Sequence, residues 1–142
     1  MRQEQQIAMS QVWSDRNQLR SELAHLINDN SQIWIDGLNE SELSEPELAK
    51  FEAMASLYFH KESAHFNQRA SGISPDSPDA ISYKLANMIL SYPGLKSAWS
   101  RWSVLYRTGS PWEPFTGSVQ RQLDEIAANR LPKIDFDYLV PL

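Results

Sequence analysis

The sequence predicts an all-α fold: an irregular bundle of five to six helices ending in an extended C-terminal tail. Three observations carry this. Apolar residues recur at three- and four-residue spacing as far as residue 130, with no convincing alternation. Two Ser-x-x-Glu boxes, Ser44-Glu45-Pro46-Glu47 and Ser110-Pro111-Trp112-Glu113, have the form of helix starts. Five glycines in 142 residues are too few for the many tight turns of a barrel or sandwich. That length suits a single domain, enough to bury about two-thirds of the unfolded chain's surface. Residues 1–130 are assigned to the bundle and 131–142 to the tail.

The first helix is expected over 3–28, where Met9, Val12, Trp13, Leu19, Leu23, Leu26 and Ile27 form one stripe. Asn28-Asp29-Asn30-Ser31 breaks it. A short second helix runs from Ser31 through Trp34, with Gly37 suited to a C-terminal cap. Ser44 caps the third helix, with Glu47 completing the box and Pro46 in the first turn. Its stripe of Leu48, Phe51, Met54, Ala55, Tyr58, Phe59 and Phe66 ends at Gly72, and this helix is expected at the centre.

Residues 74–79 contain two prolines and read as a loop and restart. The fourth helix then carries Ile81, Leu85, Met88, Ile89 and Tyr92. Pro93 cannot easily continue it but suits the first turn of a fifth, with Leu95, Ala98, Trp99, Trp102, Leu105 and Tyr106 on its stripe. The box at Ser110 opens the sixth, with Phe115, Val119, Leu123 and Ile126. Pro132 ends helical structure. Beyond it Ile134, Phe136, Tyr138 and Val140 alternate with Asp135 and Asp137, giving an extended segment one apolar edge. That edge is expected against the domain's own helices. Docking on a second copy, which would make a homo-oligomer, or on another protein is less favoured.

Composition excludes several functions. A net charge of −5 gives the phosphate backbone nothing to bind, so nucleic acid is not an expected partner. The absence of cysteine removes disulfides, thiolate nucleophiles and Cys-based metal sites. No run approaches the roughly 18 apolar residues of a membrane span.

The order of Ile33-Trp34-Ile35-Asp36-Gly37-Leu38, Leu43-Ser44-Glu45-Pro46-Glu47, Phe51, Glu62, Gly72-Ile73, Tyr92-Pro93-Gly94-Leu95, Trp99 and the helix of Phe115 and Val119 resembles a family of uncharacterised bacterial proteins. Its members typically place a short transmembrane helix before a small all-helical domain. The resemblance covers residues 1–126 and rests on order and spacing. This chain departs from the pattern in lacking the membrane helix. After Gly72 it has two prolines where a tryptophan is expected, and the tail after Arg130 lies outside the match. The family has no assigned activity. The resemblance implies an architecture and a membrane neighbourhood, with the domain on the cytoplasmic face of the inner membrane by the positive-inside tendency.

Two Glu-x-x-His pairs, Glu22/His25 and Glu62/His65, invite comparison with di-iron bundles. At about 100° per residue, however, Glu22 lies roughly 80° and His25 about 140° from the first stripe. The fourth and fifth helices supply no carboxylate beyond Asp76 and Asp79 at the very start, so no metal or other cofactor is expected. His60 and His65 are about 140° apart and cannot chelate together. No nucleophile elbow or phosphate-binding glycine loop is present.

Glu62, His65 and Arg69 do fall beside the apolar stripe near Tyr58. These four are the candidate ligand-binding residues, because a buried carboxylate with a perturbed pKa could bind or protonate a ligand. The competing and favoured reading is an internal ion pair of Glu62 with Arg69 or Arg16. Trp34, on a short helix, and Phe136 and Tyr138 of the tail are the candidate partner contacts. The expected function is a non-enzymatic interaction or scaffold domain with a protein partner. A small-molecule-sensing bundle with a polar pocket near Glu62 comes next, and an enzyme a distant third. A filled core beside an apolar surface patch favours the first, and a cavity at Glu62 the second.

Overall fold

Six helices and no strand occur among the residues that the computed structural model describes, which are 17–70, 77–105 and 111–134. They are α1 (17–29), α2 (Ser31–Leu38), α3 (Glu45–Ala70), α4 (Pro78–Ser91), α5 (Pro93–Leu105) and α6 (Glu113–Ala127). The all-α expectation holds. α3 packs against α2, α4, α5 and α6, and the most extensive helix pair is α4 with α6. At 1.5 Å per residue, the 26 residues of α3 span roughly 39 Å.

One residue separates the first two helices. Asn30 donates from both its backbone N–H and its side-chain Nδ2 to the Leu26 carbonyl, each at 3.0 Å, and so closes α1. Its own carbonyl accepts from Trp34 N–H at 2.9 Å and opens α2. Gly37 is not the cap that the sequence suggested. α2 ends through Asn39, and Glu40 takes the left-handed conformation at φ 54°. Ser41 N–H then donates to Asp36 O at 2.8 Å and Glu40 N–H to Gly37 O at 3.2 Å, a Schellman pattern.

The capping box of α3 forms as predicted. Glu47 N–H donates to Ser44 Oγ at 3.3 Å, and Ser44 N–H donates back to Glu47 Oε1 at 3.0 Å. α6 begins at Glu113, two residues later than the second box implies, with Trp112 at the cap position and a proline in the first turn. Gly72 and Ser110 lie outside the described residues. α4 starts on Ser77, whose Oγ accepts from Asp79 N–H at 3.2 Å.

Tyr92 is shared by two helices. Its N–H donates to Met88 O at 3.2 Å to end α4, while its carbonyl accepts from Leu95 and Lys96 at 3.1 and 3.0 Å to begin α5. A residue preceding proline is pushed toward extended geometry, and Tyr92 adopts φ −128°, ψ 112°. The chain can therefore turn within one residue.

The core joins Leu23 and Ile27 of α1, Trp34 and Leu38 of α2, and the apolar faces of α3 to α6. An aromatic cluster of Phe59, Trp99, Trp102 and Phe115 lies within it, each ring centroid 5.2–6.2 Å from its neighbours. Three predicted stripe residues are instead exposed: Leu26 at 39 %, Leu48 at 46 % and Leu105 at 77 %. Trp34 is corrected the other way. It is 1 % exposed and packs on Phe51 at 5.5 Å, so it cannot contact a partner.

After α6, Asn129 at φ 59° ends the helix with a second Schellman pattern. Residues 131–134 leave it without regular structure, as expected. Pro132 O accepts from Tyr83 Oη, and Ile134 N–H donates to the buried Asn87 Oδ1 at 2.6 Å. The tail thus begins by docking on α4. Phe136 and Tyr138 lie outside the described residues.

Candidate functional site

The buried carboxylate expected on α3 is present. Glu62 is 1 % exposed, beside fully buried Tyr58. Its partner differs from the expectation: Lys61 Nζ sits 2.8 Å from Oε1, and neither Arg69 nor any other described arginine pairs with it. Arg16 lies outside the described residues. Neighbours in sequence point about 100° apart on a helix. The long lysine stem closes that angle because α3 is covered on several sides, leaving Lys61 only 6 % exposed. Lys61 Nζ also lies 5.1 Å from the Tyr58 ring centroid. Burial holds the Lys61 pKa below its ordinary value, opposed by the Glu62 carboxylate and reinforced by Lys84 and Arg20 nearby.

Glu62 Oε2 is buried without a hydrogen-bond partner. His65 and Arg69 continue along the helix, both half-buried. Glu22 and His25 are exposed, and Glu22 accepts from Gln18 at 3.3 Å. Among the described residues no three acidic or histidine side chains group closely enough to hold a metal ion.

A second feature was not foreseen. α3 and α5 enclose a surface furrow made of two hollows. The larger, about 590 Å³, has Leu43, Leu48 and Phe51 on its floor and Glu40, Glu52 and Arg101 on its rim. The smaller, about 190 Å³, is lined by Ala55, Phe59, Ala98, Trp102 and Leu105, and again by Glu52 and Arg101. Those two charges form an ion pair across the furrow where the hollows meet. Ser97 Oγ donates to Glu40 across the α2–α5 end. A third hollow, about 690 Å³ on α6, is walled only by polar residues and Gly117. None of the three is lined by Glu62.

Sequence reasoning missed the furrow because its elements lie far apart in the chain. The one available signal was Leu48 and Leu105 at stripe edges. It also missed the polar seam of α4 and α6, where the Ser82 and Ser118 hydroxyls meet at 2.6 Å and Ser118 donates to Asp79 at 3.1 Å. Serines on an apolar stripe admit close helix approach, but nothing local marks which serines do so.

Comparison with known proteins gives no match: no family model, no curated protein and no solved structure is similar to this chain.

Proposed function

We propose that this chain is a non-enzymatic interaction domain and that the α3–α5 furrow is its contact surface. The observation that carries this is the furrow itself. It has apolar lining residues, exposed leucines at 46 % and 77 %, and a buried cluster of contacting aromatic rings behind it. Tyr58, Trp34, Trp99 and Trp102 are spent on that core. The test is a photo-crosslinking amino acid at Leu48 or Leu105 in the native host. Discrete protein adducts are expected there and not from position 117 on α6. Equal labelling at all three positions, or none at the furrow, defeats the proposal.

The resemblance to a membrane-tethered bacterial family supports a location at the cytoplasmic face of the inner membrane. No helix among the described residues is long and apolar enough to cross a membrane. In that family the anchor lies just before the helical domain, and a member without one would not be held at the membrane. Fractionation of the untagged native product decides the matter, and recovery wholly in the soluble fraction removes the membrane from the proposal.

A second reading, a small-molecule sensor at Glu62, draws on the buried Oε2 that lacks a hydrogen-bond partner. A thermal-shift screen of wild type against Glu62→Gln tests it. A compound that raises the melting temperature of the wild type alone would put sensing first.

A further inference from the structure

We propose that the furrow takes a cationic amphipathic peptide segment, with apolar residues at helical spacing and Lys or Arg beside them. This rests on the interaction reading above and adds the chemistry of the partner. Residues 36–52, which build one end of the furrow, carry Asp36, Glu40, Glu42, Glu45, Glu47 and Glu52 against Lys50 alone. That stretch holds as much net negative charge as the whole chain, whose formal charge is −5. The facing helix returns only Lys96 and Arg101. The first turn of α3 also presents a positive dipole end, but Glu47 already answers it through the Ser44 cap.

Of these acids Glu40 and Glu52 line the furrow, against Arg101, so its rim carries a small net negative charge. It repels anionic lipid and nucleic acid and attracts a cation-bearing segment. Shape narrows the class further. From Leu48 to Phe59 the furrow runs eleven residues along α3, roughly 16 Å at the helical rise, the length of three turns of a bound helix. The larger hollow lies within the range of about 300–1,000 Å³ typical of side-chain and ligand pockets.

Between the hollows stands the Glu52–Arg101 pair, with side chains 32 % and 57 % exposed. Exposed pairs contribute little, so a partner cation can take Glu52 and swing Arg101 aside at small cost. With the pair open, the apolar floor is continuous from Leu48 to Leu105.

The probe is a synthetic 14-residue helix with leucines at i, i+3, i+4 and i+7 and lysines elsewhere. Its control is the same peptide with glutamates for lysines. The expected result is binding of the lysine peptide at least tenfold tighter than the glutamate peptide, weakening with salt. Amide shift changes should concentrate at residues 43–59 and 98–105. Leu48→Asp should abolish the binding, and Glu52→Lys should cut it at least tenfold. Both positions are partly exposed, so circular dichroism checks that each variant is folded.

Equal affinity for the two peptides, no binding of either, or shifts mapping elsewhere would overturn the proposal. So would concentration-dependent self-association mapping to the furrow, which would make the occupant a second copy. In-cell adducts at Leu48 with no charge preference in vitro leave the interaction reading standing and remove only the cationic partner. Absence of adducts removes the interaction reading itself.

Discussion

Gly94 of α5 packs directly against the backbone carbonyl of Gly37 in α2. A β-carbon on Gly94 would lie 2.7 Å from the Gly37 carbonyl carbon, well inside contact distance, and closer still to its oxygen. A β-carbon on Gly37 would lie 2.6 Å from Cε2 of the Phe51 ring. The two helices thus touch backbone to backbone, with Phe51 filling the other side. Gly37, Phe51 and Gly94 meet in a single packing contact. Packing, with no reactive group, accounts for all three.

Gly94→Ala is therefore expected to destabilise the fold by about 3 kcal/mol or more, because the obstacle is backbone and cannot rotate away. Gly117→Ala is the matched control. Its added carbon meets nothing within 4 Å in mid-α6, so it should stabilise by about 0.5–1 kcal/mol. Chemical denaturation of the two variants checks both signs. A Gly94→Ala protein as stable as wild type refutes the close approach.

Glu62→Ala removes the carboxylate that the buried Lys61 ammonium faces at 2.8 Å, and should cost about 3–5 kcal/mol. Replacing both, as Lys61→Met with Glu62→Leu, should recover most of that loss, since no charge is left buried. A double variant no more stable than Glu62→Ala alone would show that the pair is not a closed unit.

His60 stands edge-on between Trp102 and Trp112, with ring centroids 5.3 and 5.6 Å away. Burial lowers its pKa below the ordinary 6.5, so the unfolded chain takes the proton more readily. The sign follows: stability is full above pH 6.5 and falls as pH drops through that value toward the folded pKa. His60→Phe, which cannot titrate, should lose less stability than wild type between pH 7.5 and 5. Parallel losses in the two proteins count against a half-buried neutral imidazole.

Deleting residues 132–142 removes the bonds from Tyr83 to Pro132 and from Ile134 to the buried Asn87. At about 1 kcal/mol per bond, the melting temperature should drop by several degrees with assembly size unchanged. A smaller assembly at an unchanged melting temperature would instead mean exchange between copies.

Asn129→Gly should raise stability by a few tenths of a kcal/mol, because glycine bears φ 59° without strain. Glu40→Gly gains the same relief at φ 54° but loses the hydrogen bond from Ser97, so its net effect should be smaller. Equilibrium denaturation that ranks Glu40→Gly above Asn129→Gly would show that the Ser97 bond contributes nothing.

The sequence by itself determined the helices and several of their ends. The Ser44–Glu47 box, the Ser77–Pro78 start and the Tyr92–Pro93 turn act within four residues, and such short-range bonds do not wait for a partner segment. It also determined that Glu62 would be buried, since it falls among Tyr58, Phe59 and Phe66. Only the tertiary structure decided that Lys61, and no described arginine, would meet Glu62, because reach depends on which sides of α3 are covered. It alone put Trp34 inside and Leu48 and Leu105 outside, because periodicity defines a stripe but not its edges. It alone gave Gly37 a packing role in place of a cap. The furrow belongs wholly to this second class. Leu48 and Leu105, 57 positions apart, share a surface only because α3 and α5 pack side by side.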